Sequence, residues 1–358
     1  MSNLFRATLV SMAFLAAMPQ LWAGNPDRAG EAGAYELVMN GWGRTSGVFG
    51  MNSACVQGLE SMNLNPAGLA FAPKTEILFS RTHWLQGSEV FLNSAGIAQK
   101  FGKDKGNVVG VTINALDFGD IERTTTNLPE GGIGTFKPGF LNIGVGYSRA
   151  FSNSIYAGVV FRLINERIDD LSATGFCLDA GIQYVTGPRE NIHFGIALRN
   201  VGTPMRFGGD GLNFSGSATE GTYTITQSQR TQKFELPSQL NIGAAYDWYI
   251  DKAKENPDHK LTFMANFTSN SFGKDQFGGG LEYGWRKIVM VRAGYRYEDG
   301  ITSFSTSTTA FTGLAAGMSV QVPLTKKKNE GATIGIDYAY RATYTFKGTH
   351  TYGIRITL

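Results

Sequence analysis

Apolar and polar positions alternate between residues 141 and 163. Leu141, Ile143 and Val145 are separated by small or polar residues, and the alternation resumes after a polar turn at 149–154 and continues to Leu163. A period of two predicts β-strands, and two such runs around a short turn predict a hairpin. Each run is about nine or ten residues long, which lets a tilted strand cross the hydrocarbon core of a bilayer.

The same pattern recurs along the chain after residue 74. We identify fourteen strand-like runs, of which the first two alternate poorly. They lie at residues 75–84, 89–101, 107–116, 141–148, 155–163, 173–185, 191–199, 239–250, 260–268, 276–285, 287–297, 312–324, 332–341 and 349–358. The expected fold is all-β, a 14-stranded antiparallel transmembrane β-barrel formed by residues 71–358.

The connections between these runs sort by length. Every second connection is compact and mostly polar, whereas the long ones at 117–138, 200–237 and 298–310 all fall in the other set. Outer-membrane barrels have short periplasmic turns and longer external loops, and a soluble sandwich has no reason to sort its loops in this way. An even number of strands further predicts that both termini lie on the periplasmic side.

The first seventy residues do not alternate. Residues 1–23 have a positive start at Arg6, a short apolar core and a small-residue cleavage site at Ala23, which are typical of a secretory signal peptide. Residues 24–70 form the expected leader and plug, which closes with the motif Asn65-Pro66-Ala67-Gly68-Leu69. A disordered leader is the alternative, but apolar residues such as Leu37 and Trp42 argue against it.

Charged residues fall on the non-apolar face of the predicted strands. In lipid, each arginine would cost about 2–4 kcal/mol at the bilayer midplane, so these side chains are expected to point into the bore. We favour a structural charge network there, with substrate binding as the alternative. Its predicted members are Arg162, Asp179, Arg199, Asp247, Asp337 and Arg341, together with Glu282 and Arg355.

Composition adds three points. Glycine accounts for 46 of 358 residues and lies on the same inner face, where a plugged interior needs small side chains. The net charge of +3, without a basic stripe, argues against nucleic acid as a partner. Cys55 and Cys177 are interpreted as two inert thiols, with a disulfide as the alternative.

Motifs for catalysis are missing from the sequence. It contains no nucleophile elbow, zinc-protease motif or phosphate loop, and the four histidines lack metal-ligand spacing. We therefore predict no catalytic residue, no metal and no cofactor. His193 is the one candidate base, expected beside Asp179 and Arg199, and an ordinary interior histidine is the favoured interpretation.

The connection at 203–236 is the most informative loop. Met205, Phe207, Phe214 and Phe234 stand out in a background rich in Gly, Ser and Thr. Exposed apolar side chains on a long external loop indicate a partner-binding surface or a lid. A loop that folds back to close its own barrel is equally compatible with the pattern.

Several stretches together resemble the PorV/PorQ family of Bacteroidetes outer-membrane proteins, which are similar to FadL-type barrels. They are the Asn65–Leu69 motif, residues 197–207, Glu235-Leu236-Pro237 with residues 240–246, and residues 291–296. The leader departs from the family pattern, since it reads Gly43-Arg44-Thr45-Ser46-Gly47 and carries only Glu60 before the Asn-Pro step.

The resemblance implies a role in type IX secretion. Its expected partners are outer-membrane lipid, translocon or attachment components, and the C-terminal signal domains of cargo. The alternative is a FadL-like passive transporter of hydrophobic small molecules. A barrel enzyme acting on envelope lipids is a third hypothesis, and it depends on His193.

Overall fold

The computed structural model describes residues 24–102, 106–217, 223–251, 257–324 and 332–358. The predicted signal peptide, residues 1–23, lies outside them. The wall consists of fourteen strands: β1 Thr75–His83, β2 Phe91–Phe101, β3 Asn107–Asp117, β4 Gly139–Ala150, β5 Ile155–Ile168, β6 Leu171–Thr186, β7 Ile192–Gly202, β8 Gln239–Tyr249, β9 His259–Asn270, β10 Gln276–Trp285, β11 Val289–Glu298, β12 Phe311–Pro323, β13 Thr333–Thr343 and β14 Thr349–Thr357.

These strands close into a barrel. Each pairs antiparallel with its neighbour in the chain, and β1 pairs with β14, so Ile77 lies opposite Ile356. The predicted fold class is therefore confirmed. The strands differ most in length from the predicted runs at β5 and β6. These two strands continue to a two-residue turn at Asp169-Asp170, because polar residues there extend the ladder beyond the apolar runs.

The outer face of the wall is apolar. Along β6 the side chains of Phe176, Leu178 and Ile182 are about half exposed, while the positions between them are buried. Similar rows follow the other strands, including Ile336 and Ile354. An exposed apolar surface of this extent is typical of a face that contacts another apolar phase.

The two ends of the barrel differ in their connections. At one end, here called the short-link end, β10 and β11 are joined by a tight turn in which Arg286 and Lys287 have φ of 52° and 59°. The other, here called the long-loop end, carries residues 118–138, 203–238 and 299–310. The 203–238 connection contains the short strand Gly208–Gly209, a 3-10 turn at Asp210–Leu212 and a hairpin of Asn213–Ser217 and Thr224–Ser228. In the 118–138 connection, Ile121–Glu122 pairs with Thr135–Phe136.

The bore is occupied by residues 24–74, here called the leader. It contains one helical turn at Gly43–Ser46 and 3-10 segments at Pro26–Arg28, Tyr35–Val38, Leu59–Asn63 and Pro66–Phe71. Wall glycines allow its backbone to approach closely. A Cβ atom on Gly294 would lie 2.6 Å from the Val48 carbonyl oxygen, and one on Gly195 would lie 2.7 Å from the Cα of Ala54.

The leader runs the full length of the bore. Near its start, the Asn25 N–H donates to the Asn270 carbonyl, and Ala32 bridges to Glu235, both at the long-loop end. It reaches β1 at the short-link end, where the Thr75 N–H donates to the Leu358 carbonyl. The prediction that both termini share one end is therefore wrong for the described start of the chain, because strand parity places the wall but not the leader.

None of the helices among the described residues is long and apolar enough to cross a membrane.

Candidate functional site

The centre of the bore holds a network of ion pairs between leader and wall. The guanidinium of Arg355 on β14 pairs with Glu60 of the leader and with Glu76 of β1. Its Nε lies 3.6 Å from Asp337 on β13, which also pairs with Arg44 of the leader at 3.1 Å. The side chains of Arg355, Glu60, Glu76 and Asp337 are all at most 4% exposed. Because buried charges need partners, this network fixes the leader relative to the wall.

A second link joins β5, β6 and the leader. The Arg162 side chain lies 2.8 Å from the Asp179 carboxylate, and it also donates to Asn63 Oδ1 at 3.0 Å and to the Met62 carbonyl. Asp179 accepts a further bond from the Asn200 N–H at 2.6 Å. Asn200 has a φ of 58° and lies at an irregularity in the β6–β7 register. Asparagine tolerates this left-handed conformation. Arg199 is buried by the regular alternation of β7, and Asn200 is the additional buried residue that follows it.

The predicted plug motif lies against the wall near the short-link end. The Asn65 Oδ1 accepts from the Ala67 N–H at 3.2 Å, and its Nδ2 donates to the carbonyls of Ser53 and Ile182 at 3.0 and 3.2 Å. Pro66 begins the 3-10 segment, where its missing N–H is not needed. Gly68 packs so closely on residue 56 that a larger side chain would clash. The motif thus joins two parts of the leader to β6.

Asp247 lines a cavity of about 120 Å³ near the short-link end, here called the inner cavity. The Asp247 carboxylate lies 3.2 Å from Lys260 Nζ and 3.4 Å from His193 Nε2. His193 therefore pairs with Asp247 and not with the expected Asp179. On β6 it lies opposite Val185, six residues from Asp179, whereas on β8 it lies opposite Ala245, two residues from Asp247.

The inner cavity does not have the features of a hydrolase site. Its lining includes Cys55 but no serine. Burial raises the pKa of the Cys55 thiol to about 12, which leaves it a poor nucleophile at neutral pH. Cys55 and Cys177 are both free thiols. Among the described residues, no three His, Cys, Asp or Glu side chains come together as metal ligands.

Arg199 and Arg341 line another cavity, of about 70 Å³, on the long-loop side of the leader, here called the outer cavity. Arg199 donates to Gln239 Oε1 at 3.2 Å and to the Leu37 carbonyl at 3.1 Å. Arg341 donates to the Asn40 carbonyl at 3.1 Å, and its guanidinium lies 5.0 Å from the centre of the Trp84 ring.

Three of the four predicted partner-binding residues pack inward. Met205 is 1% exposed, and its backbone exchanges two 2.9 Å hydrogen bonds with Phe234. Phe207 packs against Phe234 with ring centres 5.8 Å apart and the rings tilted by 36°. Only Phe214, on the external hairpin, is half exposed. The loop therefore folds back on its own barrel, and a partner could reach Phe214 without a rearrangement.

The inward-packed loop residues complete an apolar group at the long-loop end, here called the mouth cluster. It combines leader, wall and loop side chains, with Phe207 and Phe234 packed on its edge. Its buried members are Ala34, Leu37, Ile164, Ala173, Cys177, Met205 and Leu236.

Sequence reasoning missed several buried charges. Glu76 went unrecognised because β1 alternates poorly, although its inward neighbours Leu78 and Ser80 mark the register. Glu36 lies in the leader, where no periodicity exists. Burial, reinforced by the negative charge of Glu166, raises the pKa of Glu36 to about 8.

Comparison with solved structures finds barrels of similar fold. The CymD monoaromatic hydrocarbon channel has a TM-score of 0.53 at 13% identity, over 90% of this chain and 97% of the channel. The Pseudomonas putida toluene transporter TodX has a TM-score of 0.51 at 13% identity, over 89% and 97% of the two chains. No family model and no curated protein sequence matches the chain. The chain therefore has the fold of FadL-type outer-membrane barrels, a closed wall of fourteen strands around an N-terminal plug.

Proposed function

We propose that this protein is an outer-membrane channel that admits hydrophobic small molecules. The observation that carries the proposal is the mouth cluster, which lies inside a barrel with the fold of the hydrocarbon channels. In this arrangement the long-loop end faces the cell exterior, as the lengths of its connections suggest.

The mouth cluster offers an apolar molecule a first binding position. Leu37 and Met205 are at most 2% exposed, so a guest that separated loop from wall would enter a dry apolar site. Transfer of an apolar guest into such a site is favourable by about 25 cal/mol per Å² of apolar surface removed from water.

Passage beyond this position requires the leader to move. The two cavities beside it, of about 70 and 120 Å³, are lined mainly by polar and charged groups. The hydrogen bonds from Arg162 to Met62 and Asn63 and the ion pair between Arg44 and Asp337 hold the leader across the bore. A guest therefore binds at the mouth, and transport follows a shift of the leader.

Uptake by intact cells tests this function. Cells that carry the protein are expected to take up a radiolabelled monoaromatic hydrocarbon faster than cells from which it has been deleted. Met205→Gln, which places an amide in the mouth cluster, is expected to slow uptake several-fold, because burying an unpaired amide costs about 1–3 kcal/mol. Phe214→Ser is the matched control on the same loop and should leave uptake unchanged. Equal uptake with and without protein would refute the channel proposal.

Surface labelling tests the proposed orientation. An epitope inserted at Gly30, which is exposed at the long-loop end, should be labelled on intact cells, as should one inserted at Phe214. An epitope between Arg286 and Lys287 should be labelled only after the outer membrane is opened. The reverse pattern would place the barrel upside down.

A second candidate function is cargo or partner binding in type IX secretion. It is favoured by the PorV/PorQ-like motifs and by the external hairpin, where Phe214 and Tyr223 are 51% and 62% exposed. Exposed aromatic side chains are typical anchors of protein interfaces. Pull-down in mild detergent should recover translocon components or cargo signal domains, and Phe214→Ser with Tyr223→Ser should abolish that recovery. Normal secretion in a deletion strain would count decisively against this function.

A further inference from the structure

Three arginines converge on the outer cavity. Arg199 projects from β7, Arg296 from β11 and Arg341 from β13, and all three line the same space of about 70 Å³ between wall and leader. The other polar groups around it are neutral, and include the side chains of Asn40, Gln239 and Gln276. Among the residues that line this cavity, none is acidic.

These guanidinium groups lack anionic partners. In the described part of the chain, none of the three forms an ion pair, and the buried Nε atom of each has no hydrogen-bond acceptor. The described hydrogen bonds include two from Arg199 and one from Arg341, all to neutral oxygens, and none from Arg296. Arg296 instead places its guanidinium 4.0 Å from the centre of the Phe49 ring.

Acids on nearby wall positions are already engaged. Asp179 pairs with Arg162 at 2.8 Å. Glu298, two residues beyond Arg296 on β11, accepts from Gln276 Nε2 at 2.7 Å and from Thr308. Neither carboxylate lines the outer cavity. The contrast with the inner cavity is clear, since Glu60, Asp247 and Glu282 there balance Arg44 and Lys260.

We propose that the outer cavity is a binding site for an oxyanion, the chemistry shared by phosphate, sulfate and carboxylate. Buried positive charge requires compensation, and arginine forks match the oxygen geometry of these anions. The bound oxyanion would accept from the free Nε atoms of Arg199, Arg296 and Arg341. Because Asn40 and Phe49 of the leader line the same cavity, the ion would also strengthen the contact between leader and wall.

The site does not depend on the proposed channel function. An oxyanion could arrive as a free ion or as the head group of an amphiphile. A neutral hydrocarbon would not compete for the guanidinium groups. Phosphate binding and hydrocarbon uptake can therefore succeed or fail separately.

Titration calorimetry on the purified full-length protein, in a non-ionic detergent and a chloride-free buffer, tests the site with inorganic phosphate. We expect saturable binding of one ion per barrel and an increase in unfolding temperature. Arg296→Gln should weaken the affinity about tenfold or more, since it removes a charge-assisted donor. This variant breaks no described hydrogen bond, so it should fold. Arg296→Lys, which keeps the charge but loses the fork, should fall between the two.

Arg149→Gln is the matched control, because this exposed arginine lies on β4 away from both cavities. It should bind phosphate as the wild type does. Acetate and decanoate separate the two sources of the oxyanion. Equal affinities would identify a free ion, whereas an affinity that rises with chain length would identify an amphiphile head group, and either result supports the site. A folded wild type that binds none of these anions, or an Arg296→Gln variant that binds phosphate unchanged, would overturn the proposal.

Discussion

Replacing Arg162 with methionine should destabilise the barrel more than any single surface change. The Asp179 carboxylate is fully buried, and the substitution leaves it only the Asn200 N–H among its described partners. Breaking a buried ion pair from one side costs about 3–5 kcal/mol. The Met62 carbonyl and Asn63 Oδ1 lose their donor in the same step, so the loss should lie in the upper part of that range.

A companion substitution separates the charge from the packing. Asp179→Asn keeps an oxygen for the Asn200 N–H but removes the charge that Arg162 compensates. In the double variant no unpaired buried charge remains, so it should be more stable than Arg162→Met alone by at least about 1.5 kcal/mol. Arg162→Lys should recover little, because one ammonium cannot reach Asp179, Asn63 and Met62 together.

Urea unfolding in detergent micelles, followed by tryptophan fluorescence, measures these differences. Alkylation of Cys55 in a Cys177→Ala background reports the leader separately, since Cys55 is a leader residue. We expect faster alkylation in Arg162→Met, because the variant also removes the bonds to Met62 and Asn63. A destabilisation below about 1 kcal/mol would refute the reasoning, because it would mean that Asp179 is not a buried charge in need of a partner.

Three further predictions concern the leader. Gly294→Ala should lower the free energy of unfolding by about 1–3 kcal/mol, because its Cβ would lie 2.6 Å from the Val48 carbonyl oxygen. At Gly335 the nearest atom would be 3.5 Å away, so the same change there should be nearly neutral. Asn65→Ala removes three hydrogen bonds and should cost about 2–3 kcal/mol in urea unfolding. Glu36, with its pKa raised from 4.5 to about 8, keeps a proton in the folded state that the unfolded chain releases. Stability should therefore fall as the pH rises from about 4.5 to about 8, and Glu36→Gln should reduce this decline.

Each of these three predictions would be contradicted by a specific result. Equal stabilities of Gly294→Ala and Gly335→Ala would mean that the leader does not press on β11. Asn153→Ala, in an exposed turn, is the control for Asn65→Ala, and equal effects would deny the motif its structural role. A pH profile of Glu36→Gln that matches the wild type would assign the decline to other groups.

The wall was predictable because its physics is local. Alternation at positions such as Ile354 and Ile356 follows directly from a strand with one face toward an apolar phase. Short and long connections alternate along the chain because successive connections lie at opposite ends of the barrel. Parity also placed Arg162, Asp179 and Arg341 in the bore. Their partners were not predictable, since pairing depends on strand register and on irregularities such as that at Asn200.

The leader shows where local reasoning ends. The Asn65 motif identified a plug, but its contacts with Ser53 and Ile182 join positions 12 and 117 residues away. Loop residues such as Met205 had two compatible interpretations because hydrophobicity alone does not distinguish a lid from a partner surface. The convergence of Arg199, Arg296 and Arg341 likewise requires the three-dimensional closure of strands far apart in the chain.

The course of the leader constrains how the molecule can be assembled. The leader begins at the long-loop end and joins β1 at the short-link end, so it passes through the closed barrel. If β1 and β14 paired first, the fifty leader residues 25–74 would have to pass through the closed barrel before forming the ion pairs and hydrogen bonds that hold them. We therefore expect β1 and β14 to pair last, around a leader that is already in place. A bulky folded fusion upstream of Asn25 should then stall insertion rather than impair the finished barrel.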